Sequence, residues 1–321
     1  MSQALLLSGW RYRLLIGSVV CSTLAYLGVS LWSGWSAVGD AISRVGWFGA
    51  MQVLGLVLLG YGLRFLRWQV YLQALQHRLP WWSSLKIYLA GFALTTTPGK
   101  AGEALRGVLL RRWGVPYADS FAALFSERLS DLFAMVVLAL LGLSGHREWL
   151  LPILVCLVLL ICSVVFIAHE PFVAAITQRI DARQGWFFRM LRSVVDVLRQ
   201  VRRCHTPYRL FGTSALGIAA WSLEALAFYW ILQDIGLGVA LGFAAFIYAI
   251  SMLAGAVSFM PGGLGGAEVV MVGLLVSGGA GLGDAVAATV LLRLVTLWFA
   301  VGLGGVVLIN AGQREKQLDE N

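Results

Sequence analysis

Apolar runs fill most of this 321-residue chain, near 14–32, 46–66, 119–143, 149–168, 209–232 and 284–309. A helical crossing of a bilayer needs about 20 consecutive apolar residues. Inside the hydrocarbon every backbone N–H and C=O must find its partner within the protein. Six such runs therefore predict an all-α polytopic membrane protein with six full transmembrane helices. Only 12% of the residues are charged, about half the share of a soluble domain, which leaves no room for a large catalytic domain outside the membrane. Arg11 and Arg13 precede the first run, which spans a bilayer and lacks a small-residue cleavage site. It reads as a retained helix and not as a signal peptide.

Two further stretches, 83–112 and 241–280, each hold two shorter apolar pieces, broken at Pro98-Gly99 and at Pro261-Gly262-Gly263. Pieces of this length are more often re-entrant than spanning. The second pair either re-enters or crosses twice, and both choices return the chain to the side it left. The loop charges then sort by side. Arg64, Arg67, Arg78, Lys86, Arg111, Arg112 and the arginines from Arg179 to Arg209 share a side with Arg11 and Arg13, against Arg44 and Arg147 opposite. The asymmetry predicts cytoplasmic termini and a cytoplasmic segment from 170 to 208. The net charge of +8 is thereby explained without nucleic acid. Within that segment Phe187, Met190, Leu191, Val194, Leu198 and Val201 recur at helical spacing beside Arg189, Arg192, Arg199, Arg202 and Arg203. Such a helix suits the inner-leaflet headgroups, and a soluble connecting helix fits the pattern equally.

Shifting the chain by 165 positions lays residues 103–142 on 268–307 with 12 identities in 40 positions. Apolar matches follow from composition, but Glu103 falls on Glu268, Asp119 on Asp284 and Arg128 on Arg293. Upstream, PGKAGE at 98–103 faces PGGLGGAE at 261–268. With the charge-derived topology the first hairpin opens from the cytoplasm and the second from the other side, so the copies form inverted-topology repeats. Broken helices in inverted repeats mark secondary transporters, whose site lies near the midplane between the repeats. The single transmembrane domain divides into repeat 1 at about 46–144, a connecting helix with the amphipathic segment at 149–208, repeat 2 at about 209–310 and a polar tail at 311–321.

The chemistry follows from the breaks. A half-helix starting after each Pro-Gly aims unpaired N–H groups and a positive dipole end into the membrane interior, which suits an anion. Lys100 and Arg106 add cationic groups to the first copy, where the second has Gly265 and no counterpart of Arg106. The candidate substrate site is therefore Pro98, Gly99, Lys100, Glu103, Arg106 and Arg128 with Pro261, Gly262, Gly263, Glu268 and Arg293, and it is more basic on the first hairpin. A charge at membrane depth costs at least about 2.5 to 3.5 kcal/mol on insertion scales. Glu103, Arg128, Glu268 and Arg293 are thus expected to neutralise one another, as structural staples or as the lining of a polar path. Glu103, Glu268 and Asp131 are candidates for proton coupling. Glu127, Asp131 and Glu224 read as local pairing at an end of the bundle. Arg64, Arg67 and Trp68 end a crossing, where arginine ordinarily snorkels to headgroups but can also gather an anionic substrate. The 13 tryptophans read as an interfacial belt.

No cofactor is indicated. Cys21, Cys156, Cys162 and Cys204 lack metal or redox spacing, and His77, His146, His169 and His205 stand singly. PGGLGG follows no strand, so it is no dinucleotide fingerprint. No motif supports covalent chemistry.

Arg64-Phe65-Leu66-Arg67-Trp68, PGKAGEALR at 98–106, Glu127-Arg128 with Asp131, and PGGLGGAE at 261–268 followed by Arg293 together resemble the lysylphosphatidylglycerol synthase transmembrane-domain family. This is the flippase-like half of the multiple peptide resistance factor proteins, which also has stand-alone members. The resemblance runs from about residue 10 to 310. It implies a multi-pass protein of the bacterial cytoplasmic membrane that moves a phospholipid or polyprenyl-phosphate-linked lipid. The sequence shows no soluble aminoacyl-transferring domain, so the resemblance implies no synthase activity. The leading expectation is a lipid transporter and not an enzyme. The alternatives are a membrane-embedded transferase using Glu103 or Glu268 as base, a scaffold for a lipid-synthesis enzyme held through residues 170–208, and a transporter of a small soluble anion.

Overall fold

The computed structural model describes residues 35–96, 101–143, 147–168, 178, 185–258 and 260–319. The predicted crossing at 14–32, and Pro98, Gly99 and Lys100, lie outside those residues; the side chains of Glu103 and Pro261 are likewise outside the description. All regular structure among the described residues is helical. In chain order the helices are α1 (Trp35–Ala74), α2 (Trp81–Ala90, continued by a 3-10 turn at Gly91–Leu94), α3 (Ala101–Arg111), α4 (Tyr117–Leu141) and α5 (Leu150–Ala168). After these come α6 (Trp186–Cys204), α7 (Pro207–Asp234), α8 (Leu241–Val257), α9 (Gly266–Ser277), α10 (Leu282–Arg293) and α11 (Phe299–Asp319). A π-helical turn, Leu294–Trp298, joins α10 to α11 without a break.

Four stretches are long and apolar enough to cross a membrane: Ser36–Ala74, Leu150–Ile167, Pro207–Asp234 and Leu282–Asn310. They contain four of the predicted crossings. The predicted crossing at 119–143 is α4, whose 25 residues reach roughly 37 Å at 1.5 Å per residue. It carries Glu127 and Asp131 buried against the rest of the bundle. The hairpin helices are short: α2, α3 and α9 have 10, 11 and 12 residues and α8 has 17, against the 20 or so of a full crossing. On α5, by contrast, Leu151, Val158, Leu159 and Val165 are exposed, the dress of a helix solvated by lipid.

The helices meet through small residues, as expected where lipid removes the hydrophobic drive for association. α1 and α7 run antiparallel along each other, with Gly49 beside Asp234 and Gly60 against the Ala220 carbonyl. At Gly304 on α11 a Cβ would fall 2.4 Å from the Ala93 nitrogen and 2.6 Å from the Leu89 oxygen. Only glycine lets α11 lie so close to the first hairpin.

The backbone repeats its turns. After α1, Gln76 N–H donates to the Gln73 carbonyl and His77 N–H to that of Leu72, with Gln76 at φ 66°. After α7, 160 residues on, Gly236 donates to Gln233 and Leu237 to Leu232, with Gly236 at φ 84°. This is a left-handed helix stop, for which glycine is the usual residue. At the ends of α3 and α9, 165 residues apart, Gly114 donates to Arg111 and Val115 to Leu110, while Gly279 donates to Val276 and Ala280 to Leu275. The His77 turn is joined to the start of α4 by a 2.6 Å contact with Asp119. At the other end of α1, Arg44 joins the start of α10 to the end of α7, reaching Asp284 at 2.7 Å and the Ile235 carbonyl at 2.6 Å.

α6 divides the apolar stripe read from its sequence. Val201, with Leu198, packs into the core around Tyr71, and Leu191 packs on Val195. Phe187, Met190 and Val194 remain exposed together with Trp186. One helix thus carries both a docking face and an outward apolar face.

Candidate functional site

A cavity of about 250 Å³ lies between the hairpins and the long helices. Its polar lining begins on α1. The helix does not stop at Arg64 and Arg67 but runs another two turns, and these arginines turn inward. Arg67 is buried, donating to Asp131 at 2.6 Å and to Ser130 at 3.0 Å. Arg64 is ion-paired with Glu224, and its guanidinium lies 4.2 Å from the ring centre of Trp221 and 5.4 Å from that of Tyr61. The snorkelling expected at this boundary is thereby corrected: buried acids on α4 and α7 supply what the headgroups would have supplied.

The same correction covers the acids. Glu127, Asp131 and Glu224 do pair, but within the cavity lining and not at an end of the bundle. Asp131 accepts from Arg67, accepts from the Trp221 indole at 2.8 Å and lies 3.5 Å from Arg128. Glu127 accepts from Arg106 at 2.8 Å. The Arg106 guanidinium lies 4.5 Å from the Tyr88 ring centre and 5.1 Å from that of Trp68. Gly91 makes room for it, since a Cβ there would fall 2.3 Å from Arg106 Nε. Glu224 accepts from the Tyr248 hydroxyl at 2.5 Å.

On the second hairpin Arg293 meets Glu268 at 2.7 Å, two of the four charges expected to neutralise one another, while Arg128 lies beside Asp131. Gly262 and Gly263 line the cavity beside Ala267 in the first turn of α9, whose N-cap, Gly265, offers no capping side chain. Below Arg293 the chain widens into the π turn, and the Thr296 carbonyl there accepts from the Tyr61 hydroxyl. Such turns are common at functional sites because they release backbone groups from the regular ladder.

Of the residues singled out in the sequence, Arg64, Arg67, Arg106, Arg128, Gly262, Gly263, Arg293 and Asp131 line this one cavity. Tyr61, Tyr88, Trp221 and Tyr248 also line it and had no place in the sequence argument. Their signal is a second register. Positions 160 apart put Tyr61 on Trp221, Arg64 on Glu224, Tyr88 on Tyr248 and Phe92 on Met252, and each of these residues lines the cavity. The 165 register adds Arg128 with Arg293 and Asp131 with Thr296. Among the described residues the lining holds five arginines against Glu127, Asp131 and Glu224. Counting Glu268 on Arg293, the cations still lead by one. A partly desolvated arginine stacked on an aromatic ring is a strong, oriented ligand for phosphate or carboxylate.

Comparison with known proteins finds membrane-protein relatives over nearly the whole chain. The sequence profile of the lysylphosphatidylglycerol synthase TM region matches residues 4–304. A UPF0104 membrane protein of Methanothermobacter thermautotrophicus is 23% identical over 94% of this chain and 97% of its own length. UPF0104 membrane proteins of Pyrococcus horikoshii and Methanocaldococcus jannaschii are each 23% identical, over 76% and 70% of this chain and 81% and 95% of their own lengths.

Proposed function

We propose, from the premise that the chain belongs to the lysylphosphatidylglycerol synthase TM-region family, that it is a lipid transporter carrying an anionic headgroup between the leaflets of the cytoplasmic membrane. The observation that carries the reading is the arginine-rich, aromatic-walled cavity between two broken-helix hairpins. The cavity takes the headgroup while the acyl or prenyl tails stay in the bilayer. A phosphate belongs there because Arg64 and Arg106 are already largely desolvated and held by rings, so binding requires little reorganisation.

Two inverted repeats explain why both hairpins reach one cavity. The recurring turns 160 and 165 residues apart and the antiparallel course of α1 and α7 support this arrangement, with one pseudo-twofold axis passing near Arg64 and Glu224. The His77 and Asp119 end carries Arg78, Lys86, Arg111 and Arg112 in its loops and short helices, and the Arg44 end is poor in cations, which favours a cytoplasmic orientation for the former and for both termini. Alternation of the two hairpins about the axis is the natural way to expose the cavity to one leaflet and then the other.

The test is reconstitution of the purified protein in vesicles with head-labelled or tail-labelled phospholipids. Faster leaflet exchange than in empty vesicles, with the lipid's mass unchanged, is the expected result. No acceleration across anionic and zwitterionic headgroups would overturn the reading, and a changed lipid mass would replace it with a transferase.

A further inference from the structure

We infer that the headgroup carried is a phosphodiester, and that its free oxygens are taken by the terminal nitrogens of Arg293, on the second hairpin and not on the more cationic first. The inference rests on the transporter reading and adds the seat of the ligand and the class of phosphate.

The five lining arginines are not held alike. Four of them give a terminal guanidinium nitrogen to a carboxylate: Arg64 to Glu224, Arg67 and Arg128 to Asp131, and Arg106 to Glu127. Arg293 instead turns Nε to its acid, Glu268, at 2.7 Å. Its Nη1 has the Met252 sulfur at 4.0 Å, and its Nη2 is buried without a hydrogen-bond partner. A thioether is a weak acceptor, so neither terminal nitrogen has an oxygen to bond. The side chain is 6% exposed, and a buried donor left unmet costs free energy that a bound acceptor recovers. Arg293 and Met252 line the cavity and Glu268 does not, so the carboxylate backs the guanidinium. The edge formed by Nη1 and Nη2 lies at the end of the plane opposite Nε, where an anion meets two donors at once.

The wall beside this fork suits the same ligand. The Glu268 contact sets Arg293 against the first turn of α9, whose N-cap, Gly265, supplies no capping side chain. Gly262, Gly263 and Ala267 line the cavity there, so the helix's positive end adds to the field of the guanidinium. On the first hairpin Arg106 is committed to Glu127 and stands among the rings of Trp68, Tyr88 and Phe92. The class of phosphate follows from the charge. Among the described residues the lining arginines exceed the acids, Glu268 included, by one. A phosphodiester, singly negative, closes that balance. A phosphomonoester or a diphosphate brings further charge into a low-dielectric site with nothing to meet it.

Titration calorimetry of the full-length protein in maltoside micelles tests this with dihexanoyl phosphatidylglycerol, its soluble headgroup glycerophosphoglycerol, dihexanoyl phosphatidic acid and farnesyl diphosphate. The wild type should bind the phosphatidylglycerol at least about tenfold more tightly than the diphosphate. Arg293→Lys keeps the charge without the fork and should weaken phosphatidylglycerol about tenfold or more. Arg293→Gln/Glu268→Gln removes the fork without stranding the acid; it should lose the ligand and carries the test should Arg293→Lys fail to fold. Glu268→Gln leaves an oxygen for Nε and one more positive charge in the site, so it should shift the preference from phosphatidylglycerol toward phosphatidic acid. A fork that only staples α10 to α9 would leave that ratio unmoved. Undiminished binding without the fork, an unmoved ratio, or a diphosphate held more tightly than the diester overturns the inference and leaves the transporter reading to the leaflet-exchange assay. Glycerophosphoglycerol bound as tightly as the lipid keeps the fork as the seat, but makes the ligand a soluble phosphodiester and overturns the lipid-transporter reading.

Discussion

Breaking the Arg67 and Asp131 pair from its two sides should give unequal losses of stability. Both residues are buried, and their contact is 2.6 Å. Removing one partner of a buried pair typically costs about 3 to 5 kcal/mol, because a charge is stranded, whereas removing both is often close to neutral. Here the two ends are not equally provided for. In Arg67→Leu, Asp131 keeps the Trp221 indole at 2.8 Å and Arg128 at 3.5 Å, so the cost should fall near the lower limit, about 3 kcal/mol. In Asp131→Leu the Arg67 guanidinium, 1% exposed, keeps Ser130 at 3.0 Å, and the cost should reach about 5 kcal/mol. Arg67→Leu/Asp131→Leu should recover most of either loss. Equilibrium unfolding in mixed micelles, fitted as a double-mutant cycle, reads all three values. Additive single losses, or a double variant worse than either single, would refute the claim that a stranded buried charge sets the cost.

Other outcomes follow from particular contacts. Gly304→Ala should cost about 1 to 3 kcal/mol because its Cβ meets the Ala93 and Leu89 backbone, while Gly302→Ala and Gly305→Ala, whose Cβ atoms meet nothing within 4 Å, should not destabilise; thermal melts compare the three. Arg44→Ala removes a pair whose side chains are 42% and 36% exposed, and chemical unfolding should register no more than about 1 kcal/mol. His205, between α6 and α7, bonds the Val201 carbonyl at 2.8 Å and stacks on Tyr71, and burial holds its imidazole below the ordinary histidine value. The unfolded chain therefore takes the proton first. Wild-type stability relative to His205→Gln should be level above about pH 6.5 and should fall as the pH drops below it; a difference that grows with rising pH would contradict the sign.

Four of the crossings were legible because lipid imposes length and apolarity residue by residue, and α5 and α7 sit where the apolar runs lie. The 165 register was legible through shared Asp119 and Asp284, Arg128 and Arg293. The 160 register was not, because its functional pairs are complementary and not identical: arginine on glutamate, tyrosine on tryptophan. A search for likeness scores Arg64 against Glu224 as a mismatch, although opposite charge is what lets these two positions bond to each other. Arg64 and Arg67 looked interfacial for a related reason. Each stands at the end of an apolar run, and the acids that draw them inward lie 160 and 64 residues further along the chain. Trp221 was lost among the 13 tryptophans that were read together as an interfacial belt. On α6 the period was right, but sequence alone does not divide an apolar stripe between a core and an outer face.

Photo-crosslinking tests the central claim most directly. A photoreactive residue placed at Met252, on the cavity wall, or at Val158, on the lipid-exposed face of α5, is activated in cells whose phospholipids carry radioactive phosphate. A lipid headgroup that enters the cavity predicts a labelled adduct at Met252 that is lost with Arg64→Ala, while the Val158 adduct persists. Labelling at Val158 alone, or a Met252 adduct indifferent to Arg64, would contradict it.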